Sequence, residues 1–327
     1  MKKAFIINIL LMAFLIMTSC SDDKSPLKND YIKRTTGPLI VGETIEFAYA
    51  MGTTEGKLKM AIAEAPVAGM SGTGFENVTW RTEAGKNIST IVARDCKTEG
   101  NTSSAHIIDA QATTLRYHYI IPEELRGKEV TFTFTCESGV DERTSLRTET
   151  YKISEMDMNK QIVLGVGNDD KRYISIEDMQ AYTISEVEAG NLYSKIDFIY
   201  AYAAKKTVGA TSYDYKHAFF SPAAVNYYPD GFSLPATWAK KNSTLMEKKL
   251  YVWDGQLKND VNTNIYVDDL DMQAKGFDNA LNFILDLRQD GSAFMKTEDG
   301  KYCAFIYISA LPSTNASATI GIKRYKY

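Results

Sequence analysis

The chain has 327 residues, with 37 Lys and Arg against 41 Asp and Glu and a formal net charge of −4 at neutral pH. The cations and the three histidines are scattered along it and form no basic stripe, which argues against nucleic acid as a partner. Hydrophobic residues make up 44% of the composition, enough for two domains that each bury a core.

Lys2 and Lys3 supply a positive start, and Ala4 to Met17 form an uninterrupted apolar run. A spanning helix needs roughly 20 apolar residues, and this run stops at Thr18-Ser19-Cys20 before the polar Ser21-Asp22-Asp23-Lys24. Met17-Thr18-Ser19-Cys20 resembles the lipobox of bacterial lipoproteins, with Met17 in place of the usual leucine. That resemblance implies a signal peptide over 1–19 and a lipidated Cys20. Each buried acyl methylene contributes about 0.8 kcal/mol, so two or more chains on one thiol make a durable membrane anchor. Ser21-Asp22-Asp23 resembles the acidic export tag of surface lipoproteins in Bacteroidetes; a plain solvated linker is the other reading. The expected location is therefore the outer membrane, lipid-anchored at the cell surface, with residues 20–30 as an acidic polar tether.

Beyond Cys20 the cysteines are Cys96, Cys136 and Cys303, an odd number without the close spacing or neighbouring histidine of a metal site. At most one disulfide can form, and a Cys96–Cys136 bridge is left open. Alternation in Val130-Thr131-Phe132-Thr133-Phe134-Thr135-Cys136 sets Cys136 opposite Thr133 and Thr135, as a buried strand cysteine.

Residues 31–155 read as strands separated by turns, with candidates at 43–49, 57–63, 115–121, 129–136 and 147–153. Thr44-Ile45-Glu46-Phe47-Ala48-Tyr49 alternates polar and apolar in the manner of a half-buried strand. Tyr117-His118-Tyr119-Ile120-Ile121-Pro122, a turn ending in Gly127, and Val130 to Phe134 resemble the last hairpin of immunoglobulin-like modules in Bacteroidetes surface lipoproteins. The resemblance implies a β-sandwich and carries no chemistry, since function on such sandwiches resides in loops.

The polar run Met156-Asp157-Met158-Asn159-Lys160 marks a boundary, and 156–327 form a second domain opening with a strand over 161–166. Strand signals follow at 195–202, 293–297, 302–308 and 318–325, with Asp299-Gly300 as a hairpin turn. Helical spacing over 183–190 and 277–285, with Ser185 as N-cap and Gly190 as stop, adds short helices. The fold class is mainly β, an immunoglobulin-like sandwich followed by a β-rich domain with a few short helices. Lys195-Ile196-Asp197-Phe198-Ile199-Tyr200, Phe220-Ser221-Pro222, Trp238 with Lys241-Asn242-Ser243-Thr244, and Lys296 to Tyr302 together resemble an uncharacterised Bacteroidetes lipoprotein family, a domain of unknown function. That resemblance implies a surface or periplasmic protein often associated with Sus-type glycan uptake, and brings no catalytic residues.

No nucleophile elbow, His-Glu-x-x-His, phosphate loop or dinucleotide fingerprint occurs; Gly165-Val166-Gly167 lacks a third glycine and a following helix, and reads as a turn. His106, His118 and His217 lie far apart in sequence, and His118, between Tyr117 and Tyr119 on a strand, reads as a solvent-facing or edge histidine. Asp268-Asp269-Leu270-Asp271 does not match a calcium loop and reads as a solvated turn leading a helix. No metal or cofactor is expected. The 20 tyrosines and 3 tryptophans are the feature with functional reach, because sugar rings stack on aromatic faces. The candidate binding residues are Tyr213, Tyr215, Tyr227, Tyr228, Trp238 and Trp253. The expected function is a non-catalytic surface lipoprotein that binds glycan or a partner protein through its C-terminal domain. The alternatives are an adhesion or structural protein and a carboxylate-based glycoside hydrolase.

Overall fold

The computed structural model describes residues 26–140, 142–260, 263–312 and 316–327, so the expected signal segment and Cys20 lie outside the described residues. The N-terminal domain comprises β1 (Leu27–Lys33), β2 (Thr44–Thr53), β3 (Leu58–Glu64), β4 (Gly74–Phe75), β5 (Val78–Glu83), β6 (Lys86–Ile91), β7 (Ala93–Glu99), β8 (Thr102–Ile107), β9 (Ala112–Ile120), β10 (Glu129–Val130), β11 (Thr133–Ser138), β12 (Arg143–Arg147) and β13 (Tyr151–Lys152). Sheet β1-β2-β9-β4 faces sheet β12-β11-β3-β8-β7, and the pairings are antiparallel. Inward residues of β2 and β9 (Phe47, Tyr49, Tyr117, Tyr119) meet Phe132 and Phe134 from the other side, with Tyr119–Phe132 at 5.0 Å and Phe47–Phe134 at 5.2 Å. This is the antiparallel β-sandwich that the alternation suits and that the resemblance to immunoglobulin-like modules implies.

Three local expectations are corrected. The tether does not reach residue 30: Leu27 is already buried, and β1 pairs with β2 from Leu27 opposite Thr53 onward. The stretches around Tyr117 and Phe134 do not form a hairpin, because β9 pairs with β2 while β11 pairs with β3 and β12. The connection crosses between sheets so that both aromatic sets face one core. The expected strand 129–136 divides at Thr131-Phe132, where the chain leaves a small β10–β13 ladder, and 147–153 reduces to β13.

The C-terminal domain comprises β14 (Asp157–Gly165), β15 (Tyr173–Ser175), β16 (Gln180–Tyr182), α1 (Ile184–Ala189), β17 (Phe198–Val208), β18 (Thr211–Phe220), β19 (Leu245–Lys249), α2 (Gly255–Lys258), α3 (Asp269–Ala274), β20 (Phe283–Ile284), β21 (Ser292–Lys296), β22 (Tyr302–Ala310) and β23 (Ser317–Lys326). Sheet β14-β23-β22-β21-β19 packs on sheet β16-β15-β17-β18-β20 through Leu164, Tyr200, Phe219, Met295, Ile306 and Ile320. The cap of α1 is Thr183 rather than Ser185: its side chain accepts Glu186 N–H at 3.1 Å and Glu186 returns a bond to Thr183 N–H at 2.7 Å. No helix forms over 277–285. Leu281 instead exchanges backbone bonds with Met246 at 2.6 and 3.0 Å, and Phe283–Ile284 add to β18, so sheet pairing overrides the helical spacing.

The domains share a core. Ile40 and Met156 join Leu257, Val267, Met272 and Phe305 in one buried cluster. Asp269 accepts Ser154 Oγ at 3.1 Å and Glu155 N–H at 2.9 Å, and Gln256 donates to Pro38 O at 2.9 Å. Cys96, Cys136 and Cys303 are all free; Cys136 and Cys303 are buried in separate cores and Cys96 is exposed.

Candidate functional site

Residues 250–260 and 263–274 contribute loop backbone and two short helices against β21–β23, and the buried carboxylate of Asp254 organises them. Asp254 accepts Gln256 N–H at 3.0 Å and Leu257 N–H at 2.9 Å, capping α2, and Val267 N–H at 2.8 Å from the extended chain just before α3. Lys323 on β23 donates to Asp254 at 2.6 Å, to Gln256 Oε1 at 2.8 Å and to Val267 O at 2.9 Å. Burial holds the Lys323 ammonium below the ordinary lysine value, and Asp254 opposes that shift.

This framework presents an open groove of about 430 Å³ between Trp253, Ile265, Tyr266 and Phe294, with Asp271 and Lys275 on its wall. Trp253 is 39% exposed and Lys258 lies 5.2 Å from its ring. Ile265 in the groove lining is 54% exposed, and Tyr251 and Leu270 on the same segment are 85% and 71% exposed. Tyr266 also lines a second cleft of about 570 Å³ at the domain junction, beside Gly37, Leu39, Asp269 and Gln273. Its hydroxyl is 2.7 Å from Thr36 Oγ1, and a Cβ on Gly37, where φ is +80°, would lie 2.8 Å from its ring. Gly37 is thus required twice, by its backbone angle and by the approach of Tyr266.

Of the six aromatic candidates, Trp253 alone reaches this groove. Tyr215 is buried and donates to Tyr227 O at 2.9 Å; Tyr228 is buried and donates to Pro222 O. Trp238 is buried against Tyr173 at 5.6 Å and Tyr193 at 5.2 Å. Tyr213 and Tyr227 are half-buried and in edge contact at 6.0 Å, and Tyr227 stacks on Phe283 at 3.5 Å. The structure does not bring these rings together as an exposed platform over 213–228: Tyr215, Tyr228 and Trp238 pack into a buried cluster with Tyr173, Ile196 and Phe220, and Tyr227 stacks on Phe283 at its edge. Ile265, Tyr266 and Phe294 were not legible as site residues, although Val252-Trp253-Asp254-Gly255 and Ile265-Tyr266-Val267, apolar groups within turn-rich sequence, are the signal that could have found the first two.

The motifs around Asp197, Asn242 and Thr297 do converge. They line a polar cavity of about 60 Å³ together with Glu177, Glu298 and Asp299. Burial pushes the Asp197 carboxyl up to about 7, against the bond that its Oδ2 accepts from Ile176 N–H at 2.7 Å. Asp299 is held at about 2, chiefly by Lys301. Environments that split two carboxyl groups in this way suit acid–base work, but a cavity of this size admits a few waters and no sugar ring. Asp268 caps α3 by accepting Leu270 N–H at 2.9 Å and Asp271 N–H at 3.1 Å. Among the described residues no group of three or more His, Cys, Asp or Glu is arranged to hold a metal ion.

Two family models match the chain, each described as a domain of unknown function: DUF4466 over residues 24–153 and DUF8576 over 154–327. A crystal structure of a DUF4466 family protein from Parabacteroides merdae ATCC 43184 is similar at 36% identity and a TM-score of 0.83, covering 93% of this chain and 99% of that one. The chain belongs to the DUF4466 family. Its DUF4466 domain is the immunoglobulin-like sandwich, and the DUF8576 domain that follows carries the Trp253 groove. The expected kinship with a Bacteroidetes family of unknown function is thereby met. The major pilin subunit BcpA of Bacillus cereus aligns at 9% identity and a TM-score of 0.26 over 59% of this chain and 58% of that one. No curated protein matches.

Proposed function

We propose that this chain is a surface lipoprotein, held in the outer membrane by acyl chains on Cys20, whose DUF8576 domain binds glycan in the groove beside Trp253. The observation that carries the reading is the exposed indole of Trp253 at an open groove whose walls mix apolar rings with Asp271 and Lys275. A pyranose stacks its apolar face on such a ring while charged groups satisfy its hydroxyls. The anchor rests on Lys2, Lys3, the apolar run that follows and the small residues before Cys20. Residues 21–26 span at most about 20 Å when extended, which keeps the first sandwich near the lipid headgroups. A protein of this kind would serve a Sus-type uptake system by holding substrate without cleaving it. The hydrolase alternative needs two acids across a sugar-sized cleft, and the cavity at Asp197 is about 60 Å³.

The exposure of Tyr251, Ile265 and Leu270 on the same segment supports a second reading, in which a partner protein covers this surface. Affinity electrophoresis separates the two. The chain from Ser21 onward should be retarded in gels containing at least one polysaccharide of a broad neutral panel, and Trp253→Ala should abolish the retardation. Free migration through every gel would overturn the glycan reading, and unchanged retardation of the variant would overturn the site.

A further inference from the structure

The chain enters the first sandwich at one end. Leu27 opens β1 opposite Thr53, the last residue of β2, and Thr54 N–H donates to Pro26 O at 2.9 Å. The antiparallel register carries the connections β2 to β3, β6 to β7, β8 to β9 and β11 to β12 to this same end. Backbone bonds fasten them to one another: Leu58 N–H donates to Ala110 O at 2.8 Å, Ile108 N–H to Val92 O at 2.8 Å and Gly139 N–H to Lys57 O at 2.7 Å. The second domain docks at the opposite end, where Glu43 N–H donates to Ile40 O beside the start of β2 and Ile40 enters the shared core. β2, ten residues long, puts about 30 Å between the two ends.

Exposed apolar side chains gather where the chain enters. Ile91, Ile108 and Val140, at three different connections, are 65%, 42% and 48% exposed. Apolar side chains scattered singly need no partner, but three of the six large ones exposed among this domain's described residues sit at this one end. The bond from Ile108 to Val92 sets the β6–β7 connection beside the β8–β9 one, and a Cβ on Gly56 would lie 3.1 Å from Val140 Cγ1, which sets Val140 against the β2–β3 turn. Around these tips Lys57 pairs with exposed Asp109 at 3.4 Å, and Glu55 is exposed beside them. The end is an apolar rim with a polar fringe of both signs.

We infer that this end of the DUF4466 domain seats on the lipid surface, with Ile91, Ile108 and Val140 against the headgroups, so that the sandwich stands upright and the DUF8576 domain faces outward. The inference rests on acylation of Cys20. Residues 21–26 reach at most about 20 Å when extended, less than the length of β2, so the entry end stays close to the bilayer in every posture. Of those postures, the upright one removes the apolar rim from water, and one lying on the flank of the sandwich leaves it there. Its consequence is that the Trp253 groove is held about 30 Å out from the lipid.

The test uses the acylated chain, extracted from membranes in detergent and reconstituted into vesicles of phosphatidylethanolamine and phosphatidylglycerol with a nitroxide on some headgroups. In a Cys96→Ser background, Ile108→Cys, Val140→Cys, Ile32→Cys and Leu270→Cys each carry one fluorophore at an exposed position; Ile32 lies on β1 along the flank and Leu270 on the second domain. The dyes at 108 and 140 should lose most of their emission to the nitroxide, the dye at 32 should keep most of it, and the dye at 270 should lose none. Unchanged thermal unfolding of the labelled chains is the control for folding. Equal quenching at 32 and 140 would show a sandwich lying flat, and stronger quenching at 270 an inverted one. Either overturns the posture, as does a vesicle-bound chain quenched at no site. A chain that fails to sediment with vesicles and has an unmodified Cys20 by mass overturns the anchor itself, a different failure.

Discussion

Lys323 Nζ lies 2.6 Å from Asp254 Oδ2, and neither side chain reaches solvent. The contact ties β23, the C-terminal strand, to the loop that carries Trp253, since the same carboxylate caps α2 and accepts Val267 N–H. A buried ion pair contributes little net stability compared with apolar replacements, but losing one partner strands the other charge. Lys323→Met is therefore expected to lower unfolding free energy by about 3–5 kcal/mol, read from urea melts. Trp253 fluorescence should shift with it, because the loop loses its tether to the sheet. A melt identical to wild type would show that Asp254 is not dependent on Lys323.

Asp197 makes folding sensitive to pH. Its carboxyl is pushed up to about 7 from an ordinary 3.8, so between about pH 4 and 7 the folded chain holds a proton that the unfolded chain releases. The contribution of this group is therefore full below the unfolded value and is lost as pH rises through the folded one. Asp197→Asn is neutral throughout and should flatten that decline, so the variant should gain on wild type as pH rises from about 4 to 8, by a few kcal/mol at most. Urea midpoints across that range measure it, and parallel curves would refute the shift.

The two domains should unfold together. Ile40 is buried among Leu257, Val267 and Phe305 of the other domain. Ile40→Ala removes that packing at a cost of about 2–4 kcal/mol. Calorimetry should show one transition for wild type and a broadened or split one for the variant. Two separate transitions in wild type would mean that the shared core does not couple the domains.

Thiol chemistry gives an independent check. Burial pushes the Cys303 thiol up to about 11 and raises Cys136; partial burial and Asp95 raise Cys96 too, but Cys96 alone of the three is exposed to reagent. A thiol-reactive dye should label one cysteine of the native Ser21-onward chain and three after unfolding. A native count of one that does not rise on unfolding would reveal a disulfide.

Much of the fold was legible in the order of residues. Period-two alternation in Thr44 to Tyr49, the Asp299-Gly300 turn and the strand run of Tyr302 to Ile308 are local signals, and β2, β21 and β22 form where they stand. Pairing partners were not legible, because a strand's inward residues state that it needs a core and not which sheet supplies it. Hence β9 and β11 read as a hairpin yet lie in opposite sheets, and Phe277 to Leu285 read as a helix yet yields to the pull of Met246 and β18. The same reason governs the site. Tyrosine content signalled aromatic surfaces, but burial is set by neighbours far along the chain: Tyr215, Tyr228 and Trp238 were claimed by the core, while Trp253, held out by the Asp254–Lys323 contact, was left to solvent.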